Sequence, residues 1–406
     1  MGYYLGIDLT DSYAMISYYQ LNQKEPETVS LVAGGENYQI PLILAKKKNV
    51  SQWYFGEEAK RLSRMGEMIC VESILSRATA DEQILMEDEV YEARDLLLMY
   101  LKKLMALPQV LGSTPSYDCV VITIPSLNKE NMMMFGEMAP KLGLSSKKLR
   151  VMDHKESFYY YAMSQPQDLW LHDVLLFQAS REQLFYYTLK RNLHTKPQII
   201  TIDESPKDSF QMDRDETFLL ALQKAMENRI VSTCYLTGDG FDGNWMHESL
   251  NFMCRGRRAF MGKNLYTKGA AYGAAVLDGQ KPWEFVYLGE NEMKFNLCLK
   301  VKNRGKEQFF DLITAGKNWF EEIGNVDVIL TEGQEIVFWK QLPHSNEAKL
   351  ETIELTDLPK RPERTSRIHI EAKPVSDTKV EITMQDLGFG ELFRSSDKIW
   401  KYTMSI

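Results

Sequence analysis

An α/β domain followed by a smaller all-β domain is the fold this sequence predicts, and three observations carry it. Between Tyr91 and Met163 the order reads helix, strand, helix, strand, helix, and the first of the two strands, Asp118–Pro125, is nearly all apolar. That is the pattern of strands buried on both faces of an α/β layer. Two segments, Leu5–Gln20 and Asp173–Asn192, each read as two strands around a short polar turn. Past about Lys281 the texture changes to alternating apolar and polar residues, with turns about every eight to twelve residues, which a small β-sandwich satisfies most simply. The domains are therefore expected at 1–280 and 281–406.

In chain order, Leu5–Leu9 and Tyr13–Gln20 form the first hairpin around Thr10-Asp11-Ser12. Val29–Ala33 and Tyr38–Ala45 read as further strands around Gly34-Gly35, and Gly56 precedes a helix. Leu96, Leu97, Tyr100, Leu101 and Leu104 fall on one helical stripe within Tyr91–Leu107. After the apolar strand, Asn128–Leu144 reads as a helix with Met132-Met133-Met134 on its inner face. Leu149–Met163 runs from strand into helix. The second hairpin turns near Ala179-Ser180-Arg181. The aromatic runs Ser157–Met163 and Leu184–Leu189 read as core and sheet packing. Asp213–Asn228 is an amphipathic helix, and the strand Ile230–Leu236 stops at Gly238-Asp239-Gly240. Gly269–Leu277 is small enough for tight helix packing. Pro359 and Pro362 mark a loop within the second domain.

With 406 residues the chain is long enough for two or three domains, and 44% hydrophobic with 26% charged residues is a globular composition. A net charge of −8 argues against a nucleic-acid or anionic-membrane surface spread over the molecule. No basic region followed by an apolar stretch opens the chain, and no apolar run is long enough to span a membrane. The five cysteines are scattered and never spaced as C-x-x-C, which fits free thiols in a reducing cytoplasm and no zinc site.

The first 280 residues resemble the actin-like ATPase superfamily, and within it the heat-shock-seventy chaperones of the DnaK type. "LGIDLTDSYAMI" is similar to the first phosphate hairpin, with Asp8 at the position of the metal-water aspartate. "CVVITIPSLNKENMMMFGEMAPKLGLSSKKLRVMDHKESFYYYAM" is similar to a strand–turn–helix segment of the chaperones, "YLTGDGFDGNWM" to their adenosine turn, and "GRRAFMGKNLYTKGAAYGAA" to the stretch closing the domain. The β domain looks like a truncated peptide-binding β-sandwich without the helical lid. The resemblance implies two lobes with ATP or ADP between them, Mg²⁺ held through water by Asp8, and a β domain contacting a protein partner or peptide. Hydrogen bonds from hairpin amides and an oriented water would carry the phosphoryl chemistry.

Departures from the family pattern sit at its chemical positions. Thr10 replaces a turn glycine, and Asp11 replaces a phosphate-contacting threonine. A carboxylate about 4 Å from a phosphate charge is repelled by about 1 kcal/mol in bulk water and about 4 kcal/mol near a surface. The second hairpin turn, "LFQASREQ", has no glycine, and His154 stands where the chaperones carry a metal-water glutamate.

Each candidate therefore has two readings. Asp8 is a metal-water ligand or a turn cap. Thr10, Asp11, Ser12, Ser180 and Arg181 contact phosphate or only shape and flank their turns. Gly238, Asp239 and Gly240 admit a nucleotide, or the glycines serve the geometry of the bend. Asp242 and Asn244 are expected to cap the next helix. Asp8, His154 and Glu156 are the catalytic candidates, although Asp153, His154 and Glu156 equally suit a helix start. The expected function is a nucleotide-binding protein that is at most a weak ATPase. The alternative is a non-enzymatic scaffold of the pseudo-ATPase kind. A sugar or acetate kinase on the same fold is the third reading, and no phosphoacceptor-base motif supports it.

Overall fold

A computed structural model describes the chain apart from residues 1, 33–34, 67, 109–115, 344 and 346. It divides into two compact units, one formed by 1–190 with 202–283, the other by 191–201 with 284–406. The architecture is mixed α/β with an all-β C-terminal region.

Within the first unit, β1 (Tyr3–Leu9) and β2 (Tyr13–Tyr19) form an antiparallel hairpin. Helix α1 (Ala93–Met105) precedes β3 (Tyr117–Ile124), which pairs parallel with β1. Helix α2 (Lys129–Lys141) leads to β4 (Leu149–Asp153), parallel to β3, and α3 (His154–Met163) follows at once. The order β4-β3-β1-β2 puts β1 and β3 at the centre. Leu5, Ile7, Leu9, Val120, Val121 and Ile122 are fully buried there, as the continuous apolar runs require.

The layout then repeats. β5 (Asp173–Ala179) and β6 (Gln183–Asn192) form a second antiparallel hairpin. After α4 (Arg214–Met226), β7 (Val231–Thr237) pairs parallel with β5. After α5 (Glu248–Met253), β8 (Arg258–Met261) pairs parallel with β7. The strand order β8-β7-β5-β6 matches β4-β3-β1-β2 position for position. Helix α6 (Leu265–Leu277) then packs back on β1, β3 and α3. Its buried Thr267 hydroxyl donates to the carbonyl oxygens of Gly6 (3.0 Å) and Met15 (3.3 Å), pinning the helix across the first hairpin.

Several local expectations need correction. Only Glu27–Thr28 is extended near the expected strand Val29–Ala33; Val29–Val32 is loop, and residues 33–34 lie outside the described residues. Tyr38–Ala45 breaks into two short strands, Ile40–Pro41 and Leu44–Lys47. Met132 and Met134 are buried but Met133 is 56% exposed, because three consecutive helical residues cannot share one face. Asp242 and Asn244 do not cap α5. Asp215, far upstream, accepts hydrogen bonds from the amides of His247, Glu248 and Ser249 instead.

In the second unit β9 (Asn296–Asn303), β10 (Lys306–Ile313), β11 (Gly324–Ile329), β12 (Glu335–Gln341) and β13 (Ala348–Glu354) are followed by β14 (Arg367–Ser376), β15 (Lys379–Gly388) and β16 (Ile399–Ser405). They form two four-stranded sheets, β10-β9-β12-β13 and β11-β14-β15-β16. Leu297, Leu299 and Phe338 of one meet Ile370, Ile382 and Met384 of the other in a shared core. Arg361, in the Pro359–Pro362 loop, makes a buried two-pronged pair with Asp386 at 2.8 and 2.7 Å. This is the geometry that matches a guanidinium to a carboxylate.

Candidate functional site: two closed hairpin turns and a buried Asp–His pair

Both hairpins of the first unit end in the same turn. At the first, Thr10 Oγ1 accepts the backbone N–H of Ser12 (3.3 Å) and of Tyr13 (3.1 Å), while Thr10 N–H reaches the Tyr13 carbonyl at 2.9 Å. At the second, Ser180 Oγ accepts the N–H of Glu182 (3.2 Å) and of Gln183 (3.0 Å), while Ser180 N–H reaches the Gln183 carbonyl at 2.9 Å. Two β-hydroxy residues thus perform one task at equivalent places. Each turn satisfies these amides with its own side chain, the local hydroxyl turn favoured by Ser and Thr. Thr10 is not among the non-glycine residues of positive φ, so it carries no left-handed strain in the place of a glycine.

Asp11 turns away from the hairpin: its Oδ1 accepts the N–H of Ser76 at 2.8 Å, in the short helix Ile74–Thr79. Ser12 gives its carbonyl to Leu42 N–H (3.0 Å) and exposes its side chain. Arg181 is 80% exposed and reaches Asp239 at 3.8 Å, a loose surface pair.

The bend at Gly238-Asp239-Gly240 lies against the second hairpin turn. A Cβ on Gly238 would stand 2.1 Å from the Ala179 carbonyl oxygen, and one on Gly240 2.3 Å from that of Ser180. Gly238 also adopts φ +103°, a region side chains avoid. Backbone packing against the hairpin turn therefore accounts for glycine at both places.

At the end of β1, Asp8 is fully buried, and its Oδ1 lies 2.8 Å from His154 Nε2. Among the described residues, Asp8 Oδ2 has no hydrogen-bond partner. The His154 ring is itself buried and stacks on Tyr266, centroids 3.9 Å apart and planes 8° from parallel. Tyr266 in turn donates to Gln178 Oε1 at 2.6 Å, tying α6 to the second sheet. Asp153 caps α3 by accepting Glu156 N–H at 2.8 Å, so Glu156 sits in the first helical turn. Tyr13 lies near both Asp8 and Asp239. Burial first, then these two carboxylates, push its hydroxyl pKa up.

The residues present do not suit a magnesium ion held through water. Such an ion wants carboxylate oxygens turned toward its water shell. Asp8 gives one oxygen to His154 and keeps the other buried, and position 154 supplies an imidazole, not a carboxylate. Among the described residues, no three His, Cys, Asp or Glu side chains come together in metal-ligand geometry. A crevice of about 440 Å³ does open beyond the carboxyl ends of β7 and β8, lined by Tyr38, Thr237, Gly238, Asp242, Lys263 and Lys268. Lys263 is paired with Asp242 at 2.7 Å and Lys268 with Glu25 at 2.8 Å. Asp239 and Gly240 do not line it.

A model described as the C-terminal part of a family of unknown function, DUF5716, matches residues 25–290, more than half of the chain. The chain belongs to the DUF5716 family. The matched span of DUF5716 takes in His154, Ser180 and Gly238 and begins after Asp8 and Thr10. A second model, a domain of unknown function named DUF8552, matches residues 292–406, the span of the two four-stranded sheets. No curated protein matches this DUF5716 chain. Among the described residues, no helix is long and apolar enough to cross a membrane.

The residues that matter most beyond those expected are Tyr13, Tyr266 and Gln178. Tyr266 and Gln178 lie far apart along the chain and show no motif spacing. Only their aromatic and amide character, next to expected turns, could have flagged them.

Proposed function

We propose that this DUF5716 protein is a non-enzymatic interaction protein built on an actin-like, heat-shock-seventy-type domain whose phosphate machinery has been closed. The observation that carries the reading is the pair of self-satisfied turns. Thr10 and Ser180 hold the Ser12, Tyr13, Glu182 and Gln183 amides that the family fold would turn toward phosphates. The His154–Asp8 contact, in place of two carboxylates facing a metal, points the same way. So does the repeated strand order of the two sheets, which is what a two-lobed actin-like domain requires. In this reading the first unit is a rigid platform, and the all-β unit engages a protein partner.

The crevice beside Gly238 supports a second reading, in which ADP or ATP still binds there without turnover. It lies beyond the carboxyl ends of parallel strands, where open α/β sheets take ligands. Calorimetric titration of the protein with ATP and Mg²⁺ separates the two. The scaffold reading expects no saturable heat at millimolar nucleotide. Saturable binding would overturn it in favour of the second. Phosphate release above the background of buffer would overturn both.

A further inference from the structure

Two surfaces of the first unit hold apolar side chains in the open, and their charges are opposite. The first is the hairpin of strands Gln83–Met86 and Glu89–Glu92, which leads directly into α1. Ile84 and Met86 are buried on its inner face, so alternation calls for polar residues on the outer one. Leu85 and Val90 stand there instead, paired across the strands and 71% and 59% exposed. Residues 81–92 contain six carboxylates and no cation. Lys46 reaches Glu87 (3.5 Å) and Glu89 (2.7 Å), Arg77 reaches Glu82 (2.7 Å) and Arg94 reaches Asp81 (2.8 Å). Three cations thus answer six carboxylates, and the hairpin stays acidic while the buried Lys46 ties it to the strand Leu44–Lys47.

The second surface is the edge strand β8. It ends the order β8-β7-β5-β6, and among the described residues no strand covers its far side. Such an edge offers unpaired backbone N–H and C=O groups. Phe260 stacks on Tyr235 at 5.5 Å yet stays 42% exposed, and Met261 is 62% exposed. Residues 255–263 contain Arg255, Arg257, Arg258 and Lys263 and no carboxylate. Arg258 meets Asp168 at 3.1 Å and Lys263 meets Asp242 at 2.7 Å, which leaves the charges of Arg255 and Arg257 uncompensated among the described residues.

A basic edge with open apolar side chains fits an acidic surface that offers apolar side chains of its own, and residues 81–92 are that surface. We propose that the chain associates head to tail with a second copy of itself, the acidic hairpin of one copy docking on the β8 edge of the next. Leu85 and Val90 of one copy cover Phe260 and Met261 of the next, and the surrounding carboxylates face Arg255 and Arg257. The two surfaces share no residue, so the contact is heterologous, and a docked pair keeps one free surface of each kind for further copies. Neither surface includes Thr10 or Ser180, so this association stands or falls separately from the closed turns.

The test is sedimentation of the intact protein at submillimolar concentration. The average mass is expected to rise with concentration, with association at least tenfold tighter at about 0.01 M than at about 1 M salt, where charges are screened within about 3 Å. Two variants change only exposed side chains: Leu85→Lys with Asp88→Lys reverses the hairpin, and Arg255→Glu with Met261→Glu reverses the edge. Each alone should remain monomeric, with a melting temperature close to that of the unaltered protein. Mixed in equal amounts they should associate again, because the edge of the first still fits the hairpin of the second. A monomeric unaltered protein overturns the proposal. So does a variant that associates as the unaltered protein does, or a mixture that stays monomeric.

Discussion

Asp8 and His154, 146 positions apart in the chain, face each other at 2.8 Å in a buried contact that joins the end of β1 to the start of α3. The contact leaves Asp8 Oδ2 without a hydrogen-bond partner among the described residues. A buried acidic side chain in that position depends on its neighbour, since an unpaired polar group in the interior is costly.

His154→Ala should therefore lower unfolding free energy by about 1–3 kcal/mol, the usual loss when a buried polar group is left without its partner. Asp8→Asn added to His154→Ala should recover part of that loss, because it removes the acidic group left without its partner. Urea denaturation of the two variants checks this. A double variant as unstable as the single one, or less stable, contradicts it.

The turn hydroxyls of Thr10 and Ser180 give a second expectation. Thr10→Val and Ser180→Ala should each cost about 0.5–1.5 kcal/mol, the range for a hydrogen bond of this kind. The turns share no hydrogen bond, so the losses should add in the double variant. Thermal melts of all three proteins measure the sum.

At Gly238 the bend carries a packing constraint that Gly243 lacks. Both have strongly positive φ, +103° and +104°, but a Cβ at Gly243 would meet nothing closer than 3.6 Å. Gly243→Ala should cost about 1–2 kcal/mol from backbone strain alone. Gly238→Ala should cost about 1–3 kcal/mol more, because the Ala179 carbonyl must move. Equal losses at the two positions would remove the packing explanation.

The β1–β2 and β5–β6 hairpins and the central strand β3 were legible in the sequence because each is a local pattern: apolar runs bounded by Thr, Asp and Ser turns. The chemistry of those turns was not. A hydroxyl beside free amides suits a phosphate or its own backbone equally, and only coordinates show that Thr10 and Ser180 take the second course. Contacts that close over long loops leave no local mark. His154 meeting Asp8 and Asp215 capping α5 from more than thirty residues upstream are of this kind. So is Arg191–Thr201 joining the second unit. The Gly238 bend was recognisable as a bend, while its partner, the Ala179–Ser180 backbone, was invisible.

Asp215 yields a pH expectation. Burial alone would raise its pKa; the Ser249 hydroxyl and the amides of Glu248, Ser249 and His247 outweigh it and lower the pKa to about 2. That is below the ordinary unfolded value near 4. The carboxylate therefore contributes its full stability above about pH 4 and loses it as pH falls toward 2. Asp215→Ala should cost about 1–2 kcal/mol at pH 7, as loss of a helix cap does, and close to nothing at pH 2. A loss that is the same at both pH values contradicts the assignment.

The most direct test of the closed-turn account watches the four amides themselves. Backbone amide resonances of Ser12, Tyr13, Glu182 and Gln183 are followed by NMR while ATP with Mg²⁺ is titrated to millimolar concentration. The account predicts that none of the four shifts, because Thr10 and Ser180 already hold them. Saturable shifts at both turns together would contradict it, showing that phosphate displaces the hydroxyls and that the site still reads nucleotide.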